Sequence, residues 1–312
     1  MITTTTIIKP NKTEVDTVPS LQRLDAQDPA TTYERVVELV RIDGGVIIKN
    51  FISTQHADRI KAELAPVFAA DVPDTSGFFP TTTRRATGLL AASKGCVELA
   101  TNKLWIDTCN EILTSTCSPW YGEKRRTFVT KPTLAGTFGF QIRPGSVAQD
   151  LHRDDSDYHL PSGIDSCMMG LLVAITRCTY ENGATMVIPK SNVWSLDRAP
   201  RTDEAVPVEL EIGDALIFPG NTYHGGGANK TKNLGRDEIR EVIGLFMCKG
   251  YLKSEENHQL EISVELAKEK KFSPQVLRLL NYGISQPALG FYKYKDPMSV
   301  IFGIDDEDTV HL

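Results

Sequence analysis

The stretch Gln149-Asp150-Leu151-His152-Arg153-Asp154-Asp155 places an imidazole and a carboxylate two residues apart. Successive side chains of an extended strand point to opposite faces, so His152 and Asp154 would project in the same direction. We therefore predict that this stretch is extended and that the two side chains converge on one point. A His-x-Asp pair is weak evidence alone, because its ordinary interpretation is a histidine in a surface turn.

A second histidine farther along the chain offers the third ligand of a metal site. His224 precedes three glycines and follows the apolar run Ala215-Leu216-Ile217-Phe218, which predicts a strand. Two histidines and one carboxylate with open coordination positions form the facial triad of non-haem Fe(II) oxygenases. The same ligands also suit zinc, as in a hydrolase or lyase. The competing interpretation is a glycine loop with an incidental histidine.

Composition and charge restrict the class of protein. The chain has 312 residues, of which 41% are hydrophobic and 24% charged, as in soluble globular proteins. The net charge of −6 argues against a nucleic-acid partner, which usually needs a basic surface. The six cysteines include no Cys-x-x-Cys pair, so no disulfide framework is predicted. Without a signal peptide or a membrane-spanning run, we expect a soluble, cytoplasmic protein.

The pattern of apolar residues predicts one domain after an N-terminal arm. Residues 1–28 lack sustained periodicity and are predicted to form a flexible arm. Short apolar runs separated by glycine and proline predict a sandwich or barrel, and one long helix is predicted around 96–115. The predicted parts of the domain 29–312 are a helical part (29–125), a strand-rich core (126–252) and a helical C-terminal extension (253–312).

An arginine stands at the mouth of one predicted strand. Arg240 opens the run Glu241-Val242-Ile243-Gly244-Leu245-Phe246. A guanidinium in such a position can bind a carboxylate through two parallel hydrogen bonds. Its ordinary interpretation is a solvated strand end.

Several motifs together resemble the phytanoyl-CoA dioxygenase-like family of Fe(II)/2-oxoglutarate oxygenases, and in particular its fungal members that tailor meroterpenoids and indole alkaloids. The resemblance extends from about Asp43 to Ile301. It implies an α+β fold in which helices flank a double-stranded β-helix, or jelly-roll, core. The motifs are His152-Arg153-Asp154-Asp155, Glu181 to Ser191, Gly213-Asp214, His224 to Thr231, and Arg240.

The resemblance also implies a role for each matching residue. The Fe(II) ligands correspond to His152, Asp154 and His224. The residues around the cosubstrate 2-oxoglutarate correspond to Arg240, Thr185, Gln149 and Arg85, with Arg236 as the alternative to Arg240. The chain departs from the family at Lys190-Ser191-Asn192, where Gly-Ser-His is usual, and this difference is expected to affect a turn.

The implied reaction consumes dioxygen and 2-oxoglutarate, yields succinate and carbon dioxide, and oxidises a C–H bond of a small, mostly apolar natural product. Hydroxylation, desaturation and rearrangement all remain open, whereas halogenation is disfavoured because Asp154 is retained. A phytanoyl-CoA-type acyl hydroxylase would need basic groups for the CoA phosphates, and the cluster Lys124-Arg125-Arg126 is better explained as a solvated turn. The same residues would also be compatible with a zinc enzyme or with a non-catalytic jelly-roll module that binds a small molecule.

The segment Gln286–Tyr292 resembles the C-terminal part of the fungal enzymes, so a homodimer is a further expectation.

Overall fold

A computed structural model describes residues 20–72, 81–160, 165–232 and 235–304. The strands are β1 (Arg23–Asp25), β2 (Val46–Lys49), β3 (Thr83–Ala86), β4 (Ser115–Cys117), β5 (Trp120–Tyr121), β6 (Lys124–Arg125), β7 (Phe128–Thr130), β8 (Thr133–Ile142), β9 (Met168–Ala174), β10 (Thr185–Val187), β11 (Val206–Val208), β12 (Ala215–Pro219), β13 (His224–Gly226) and β14 (Arg240–Cys248). The helices are α1 (Tyr33–Asp43), α2 (Thr54–Ala70), α3 (Leu89–Ala92), α4 (Lys94–Ala100), α5 (Lys103–Leu113), α6 (His258–Glu261), α7 (Val264–Glu269), α8 (Pro274–Leu279) and α9 (Pro297–Phe302). Short 3-10 helices cover Asp154–Tyr158, Ser191–Val193, Thr202–Glu204 and Gly235–Asp237.

Two β-sheets form the centre of the molecule. The larger sheet has the strand order β1-β2-β12-β9-β14-β8-β3, and the smaller has the order β11-β10-β13. All neighbouring strands of these two sheets are antiparallel except β1 and β2, which are parallel. Two small hairpin-like sheets, β4 with β7 and β5 with β6, lie outside this pair. Two antiparallel sheets of this kind agree with the predicted jelly-roll core.

Alternation of side chains along the central strands divides the hydrophobic core into two clusters. On β9, Met169, Leu171 and Val173 belong to one cluster, whereas Met168, Leu172 and Ala174 belong to the other. The first cluster includes Trp105 and other residues of the helices, and the second includes Val187 and Val208 of the smaller sheet. Because both faces of the strand are buried, its sequence is a continuous apolar run rather than an alternating one.

The region predicted as one long helix around 96–115 contains two helices, so this prediction is wrong. Helix α4 ends at Ala100, and α5 begins at Lys103 after Asn102. The side chain of Asn102 accepts a hydrogen bond from the backbone N–H of Trp105, 3.2 Å away. An asparagine that caps a helix in this way interrupts helical backbone, although the apolar periodicity continues across the break.

The larger sheet includes strands from outside the predicted strand-rich core 126–252. Strand β1 lies within the predicted arm 1–28 and pairs with β2, and Leu21 beside it is buried. Strands β2 and β3 come from the predicted helical part and join the larger sheet. The apolar run Val46-Ile47-Ile48 predicts β2, whereas β1 and β3 have only three or four residues without such a run, too few for local periodicity to reveal them. Residues 1–19 lie outside the described part of the chain.

A buried carboxylate fastens the C-terminal extension to the larger sheet. Glu256 accepts hydrogen bonds from the backbone N–H and the hydroxyl of Thr137, both at 2.8 Å, and from the backbone N–H of Gly88 at 2.5 Å. Its Oε2 lies 3.2 Å from Nδ1 of His258. Burial alone would raise the pKa of Glu256, but His258 and the other donors outweigh it and lower the pKa.

We expect Glu256→Gln to lower the free energy of unfolding by about 2 kcal/mol at pH 7. The NH2 group of the glutamine would replace an accepting oxygen and would face the N–H and O–H donors of Gly88 or Thr137 without accepting from them. Urea denaturation measures this difference. Since folding lowers the pKa of Glu256, its contribution is present above the unfolded-state pKa and is lost as the pH falls through the folded-state pKa. The two proteins should therefore converge in stability in acid. Glu269→Gln, on the exposed side of α7, is the control, and equal stability of both variants at pH 7 would contradict this prediction.

Candidate metal and cosubstrate site

His152, Asp154 and His224 meet at one point, as the sequence predicted. Their ligand atoms all lie within 4.8 Å of one another. Nε2 of His152 is 3.5 Å from Oδ1 of Asp154, and Nε2 of His224 is 3.5 Å from Oδ2. Within the described ranges, no other three His, Cys, Asp or Glu side chains form such a group. The arrangement has the size of a single metal site.

Backbone pairing brings the two histidines together. His152 and His224 form an isolated antiparallel bridge, with N···O distances of 2.9 and 3.0 Å. Nδ1 of His152 lies 2.8 Å from the carbonyl of Asp150, and Nδ1 of His224 lies 3.1 Å from that of Thr222. An Nδ1–H that donates to each carbonyl leaves Nε2 free as the metal ligand.

The local structure around the ligands differs from the sequence prediction in two respects. Asp154 begins the 3-10 helix Asp154–Tyr158 instead of continuing an extended strand, so the predicted strand through Asp154 is wrong, although the side chains converge. His224 follows strand β12, as predicted, but itself begins a short strand, β13, that was not predicted. Its glycines allow β13 to pair with β10 on one side and to approach Gln149 and Asp150 on the other.

The protonation states of two of the three ligands suit metal binding. Burial would raise the pKa of Asp154, but His224 and His152 outweigh it and lower the pKa. Burial lowers the pKa of His224 despite the nearby Asp154. For His152, burial is outweighed by Asp154 and by the carbonyl of Asp150, and the pKa is raised. An ionised carboxylate and neutral imidazoles are the forms that bind a cation.

An unpaired oxygen supports the presence of a metal at this site. Oδ2 of Asp154 is buried and has no hydrogen-bond donor among the described residues. A buried carboxylate oxygen without a donor is unfavourable. A cation held by the two Nε2 atoms and this carboxylate would satisfy it, and two nitrogens with one oxygen suit Fe(II).

A buried guanidinium lies at the start of β14. Arg240 donates hydrogen bonds to the carbonyl of Gly183 and, at 3.4 Å, to the hydroxyl of Thr185. Its Nε has no partner, and no carboxylate of the described residues forms an ion pair with it. Burial lowers the pKa of Arg240. The site therefore suits an anion that would stabilise the buried charge.

A glycine makes the contact between Arg240 and the smaller sheet possible. Gly183 has φ +90°, and a Cβ there would lie 2.5 Å from the carbonyl oxygen of Gly227. Only glycine adopts this backbone conformation without strain. The carbonyl of Gly183 is thereby placed against the guanidinium of Arg240.

Two adjoining cavities are lined by Arg240 and by two residues of the triad. A small cavity of about 60 Å³ is lined by Arg240 and Phe140, and a larger one of about 810 Å³ by His152 and Asp154. Both are lined by Val147 and Gln149, so they meet at these residues. The side chain of Gln149 is fixed there, because its Oε1 accepts a hydrogen bond from the backbone N–H of Gly226 at 2.8 Å.

The remaining basic candidates from the sequence are Arg85 and Arg236. Nη2 of Arg85, on β3, contacts Oδ1 of Asp71 at 3.4 Å and the carbonyl of Val72 at 3.1 Å. The backbone of Arg236 lies in the 3-10 helix Gly235–Asp237, and its side chain is outside the described part of the chain. Among the side chains that the structure describes, the guanidinium of Arg240 lines the small cavity.

Arg153 connects the ligand-bearing segments, a role that was not predicted from the sequence. Its Nη2 donates hydrogen bonds to the carbonyls of Ser191 at 2.7 Å and Trp194 at 3.1 Å. Its guanidinium lies 4.3 Å from the ring centroid of Tyr223. Arg153 stands between two ligands and Tyr223 immediately precedes the third. The position of Arg153 between the ligands His152 and Asp154 was the only indication of this role in the sequence. An arginine at that position could equally have been exposed to solvent.

The segment Lys190-Ser191-Asn192, where the chain departs from the family, lies at a turn, and the effect of the departure on this turn stays a prediction. Lys190 has φ +63°, in the left-handed region that glycine adopts readily. The hydroxyl of Ser191 accepts a hydrogen bond from the backbone N–H of Tyr223 at 2.8 Å. The turn therefore retains a lysine in a conformation better suited to the glycine usual in the family.

We expect Lys190→Gly to raise the free energy of unfolding by about 1 kcal/mol, because glycine removes the steric strain of the left-handed conformation. Chemical denaturation measures the change, and iron affinity should not differ from the wild type. Lys190→Ala is the matched control, since alanine keeps the strain and should leave stability nearly unchanged. Equal stability of the glycine and alanine variants would show that the turn carries no such strain.

The fold and the site define a class: a double-stranded β-helix protein with a two-histidine, one-carboxylate metal site. The chain matches the family model of phytanoyl-CoA dioxygenase (PhyH) over residues 40–237. It is 33% identical over 292 residues to the dioxygenase peniF of Penicillium patulum, with 90% of this chain and 92% of that protein covered. It is 32% identical over 301 residues to the dioxygenase himG of Aspergillus japonicus, with 90% of each covered. The chain therefore belongs to the phytanoyl-CoA dioxygenase family and is a non-haem Fe(II)/2-oxoglutarate-dependent dioxygenase.

Solved structures share its fold at low sequence identity. The non-haem α-ketoglutarate-dependent epimerase SnoN from nogalamycin biosynthesis aligns with a TM-score of 0.54 and 20% identity, covering 72% of this chain and 85% of that chain. HygX from Streptomyces hygroscopicus, solved with nickel, 2-oxoglutarate and hygromycin B, aligns with a TM-score of 0.53 and 16% identity, covering 70% and 88%. The predicted jelly-roll core flanked by helices is confirmed. Within the described residues, no helix is both long and apolar enough to cross a bilayer.

Proposed function

We propose that this enzyme oxidises a C–H bond of a small natural product, with Fe(II) held by His152, Asp154 and His224. The distal carboxylate of 2-oxoglutarate would be bound by Arg240 with Thr185. One observation carries the assignment: His152 and Asp154 of the triad line one cavity, and Arg240, which has no carboxylate partner among the described residues, lines an adjoining cavity that shares Gln149 with it.

Different residues of the chain would bind the metal and the cosubstrate. When bound, Fe(II) with 2-oxoglutarate and dioxygen supplies the oxidation of an unactivated C–H bond, coupled to formation of succinate and carbon dioxide. The two Nε2 atoms and the Asp154 carboxylate would hold the metal, and a set of only three protein ligands would leave room for the cosubstrate to bind to it. Arg240 would form two charge-assisted hydrogen bonds, and the Thr185 hydroxyl would add a third. This fixed anchor would determine which end of the cosubstrate reaches the metal.

A tailoring role in secondary metabolism is supported by the relatives. The similar fungal proteins carry the names dioxygenase peniF, himG and swnH1. The cavity of about 810 Å³ beside the triad is in the range that encloses a drug-sized molecule. An acyl-CoA substrate is less well supported, because the basic residue that lines this cavity, Arg153, already binds two backbone carbonyls. The carboxylate of Asp154 argues against halogenation.

Anaerobic titration of the metal-free protein with Fe(II) and 2-oxoglutarate tests this function. The expected result is the weak visible charge-transfer band of an iron–keto acid chelate, saturating at one iron per chain. Succinate in place of 2-oxoglutarate is the control and should give no band. If no band forms and zinc binds at the same site instead, the oxygenase assignment is wrong and a zinc hydrolase or a binding module takes its place.

We also propose a homodimer, which stays a prediction from the sequence. Its support is the exposure of apolar side chains in the segment Gln286–Tyr292, where Leu289 is 53% and Phe291 47% exposed. Sedimentation velocity measures the oligomeric state. A Phe291→Ser variant should shift the protein toward the monomer.

A further inference from the structure

The three metal ligands are held to one another by different kinds of contact. His152 and His224 are joined directly, because their main chains form a bridge with N···O distances of 2.9 and 3.0 Å. Asp154 takes no part in this bridge and lies at the start of a 3-10 helix. The 3.5 Å distance between its Oδ2 and Nε2 of His224 therefore depends also on how the residues beside these two ligands are held.

A contact between side chains joins the residue before Asp154 to the residue before His224. The guanidinium of Arg153 lies 4.3 Å from the ring centroid of Tyr223. The ring of Trp194 also packs on Tyr223, with 6.0 Å between the two centroids. Because Arg153 and Tyr223 are each one residue away from a ligand, a shift of this contact would move Asp154 relative to His224.

The backbone of Tyr223 is held by the same group of residues. Its N–H donates to the hydroxyl of Ser191 at 2.8 Å, and its carbonyl accepts from the N–H of Ile188 at 2.9 Å. Nη2 of Arg153 donates to the carbonyl of Ser191 at 2.7 Å and to that of Trp194 at 3.1 Å. Arg153 thus reaches Tyr223 by two routes, one through the ring and one through the segment that binds the N–H.

The charge of Arg153 is unfavourable for metal binding. This side chain is 7% exposed and lines the same cavity as His152 and Asp154, so its positive charge would repel a cation bound there. Among the described residues it forms no ion pair. A buried cation in this place indicates a role that depends on the shape and the donors of the guanidinium rather than on its charge.

We propose that Arg153 is a positioning residue for the metal, which fixes His224 against Asp154 through Tyr223. This inference rests on the proposed function, because it assumes the same metal ligands. The planar guanidinium packs on the ring while its donors hold two carbonyls, and lysine cannot do both. Loss of this contact would keep the main-chain bridge between the histidines but release the carboxylate from its fixed distance. The metal would then bind more weakly, and the arrangement of its ligands would change.

Arg153→Met separates position from charge, because methionine keeps an unbranched side chain and removes both the charge and the donors. If Arg153 acted only through its charge, the loss of repulsion would tighten metal binding. We expect the opposite: the dissociation constant for Fe(II) should rise about 30-fold in Arg153→Met and about tenfold in Arg153→Lys. Anaerobic calorimetry on the metal-free protein measures both constants.

The visible spectrum of bound Co(II) reports the arrangement of the ligands independently of turnover. Co(II) accepts the same types of ligand as Fe(II), and its bands depend on their number and geometry. These bands should change in both Arg153 variants and in Tyr223→Leu, whereas Tyr223→Phe keeps the ring and should retain the wild-type spectrum. A purely structural role would lower the free energy of unfolding in urea and leave the spectrum of the folded protein unchanged.

Arg198→Met is the matched control. The guanidinium of Arg198 lies 3.3 Å from the ring centroid of Trp194 and pairs with Glu204 at 2.7 Å, so it stacks on Trp194 rather than on Tyr223. Its replacement should leave the dissociation constant for Fe(II) within about twofold of the wild type. Tyr223→Leu should raise this constant about tenfold. Arg153→Lys combined with Tyr223→Leu should lose less than the roughly 100-fold product of independent effects, because both changes break the same contact.

Two results overturn the proposal: Fe(II) binding that is tighter or unchanged in Arg153→Met, or a wild-type Co(II) spectrum in both Arg153 variants. If the wild-type protein forms the iron–2-oxoglutarate band in that case, the proposed function stands and only the role of Arg153 is wrong. A wild-type protein without the band would contradict the proposed function itself. If Arg153→Met does not fold, Arg153→Lys and the two Tyr223 variants decide the question by the same measurements.

Discussion

Asp154→Ala is expected to lower iron affinity by at least about 100-fold and to abolish succinate formation, since even the partners of metal ligands typically contribute 10–100-fold. The carboxylate is the only anionic ligand of the triad, and Nε2 of each histidine lies 3.5 Å from it. Without this carboxylate, only two neutral imidazoles would remain to bind a divalent cation, and the affinity would fall. Anaerobic titration with Fe(II), followed by the charge-transfer band and by calorimetry, measures the loss.

His159→Asn is the matched control for this variant. His159 lies seven residues beyond His152 in the same acidic stretch, is exposed, and has φ +54°, which asparagine tolerates. Its replacement should leave both iron affinity and turnover within about twofold of the wild type. A comparable loss of iron in His159→Asn, or iron binding that survives in Asp154→Ala, would contradict the ligand assignment.

Arg240→Lys is expected to raise the dissociation constant of 2-oxoglutarate about 100-fold, because it would leave one buried carboxylate oxygen without its donor, which costs about 1–3 kcal/mol and more for a charged group. Lysine keeps the positive charge but cannot form two parallel hydrogen bonds to a carboxylate. Iron affinity without the cosubstrate should not change, because Arg240 lies in the small cavity rather than at the triad. Titration of 2-oxoglutarate at saturating iron, followed by the charge-transfer band, gives the constant.

Two further variants test the specificity of this assignment. Arg236→Lys addresses the second candidate arginine of the sequence and should change the constant by less than about twofold. Thr185→Val removes a hydroxyl that accepts from Arg240 and should raise the constant about fivefold, the effect of one hydrogen bond. If Arg236→Lys shows the large effect and Arg240→Lys does not, the cosubstrate anchor has been assigned to the wrong residue.

Local sequence patterns were sufficient to predict the central strands and the types of metal ligand. Strands β9, β12 and β14 are buried on both faces, and their continuous apolar runs were recognisable without any partner. The ligand set followed from residue chemistry, because two histidines and a carboxylate suit few metals. The resemblance to the family then connected these residues with the cosubstrate and with Arg240.

Features that depend on pairing between distant segments could not be predicted in this way. Strand β13 has the sequence His224-Gly225-Gly226, and glycine is depleted in strands, so only its pairing with β10 identifies it. The parallel pairing of β1 with β2 is equally non-local.

The main-chain bridge between His152 and His224 has a consequence for how the enzyme acquires its metal. Both N–H···O bonds of the bridge and both contacts of Nδ1 with backbone carbonyls are made by protein atoms alone. The fold itself therefore sets the spacing of the ligands, and loading requires little rearrangement of the chain. We therefore expect the folded enzyme to lose and regain iron without a new round of folding. Because such a preformed triad also accepts other divalent ions, the active fraction of the enzyme in a cell would follow the supply of ferrous iron relative to its competitors.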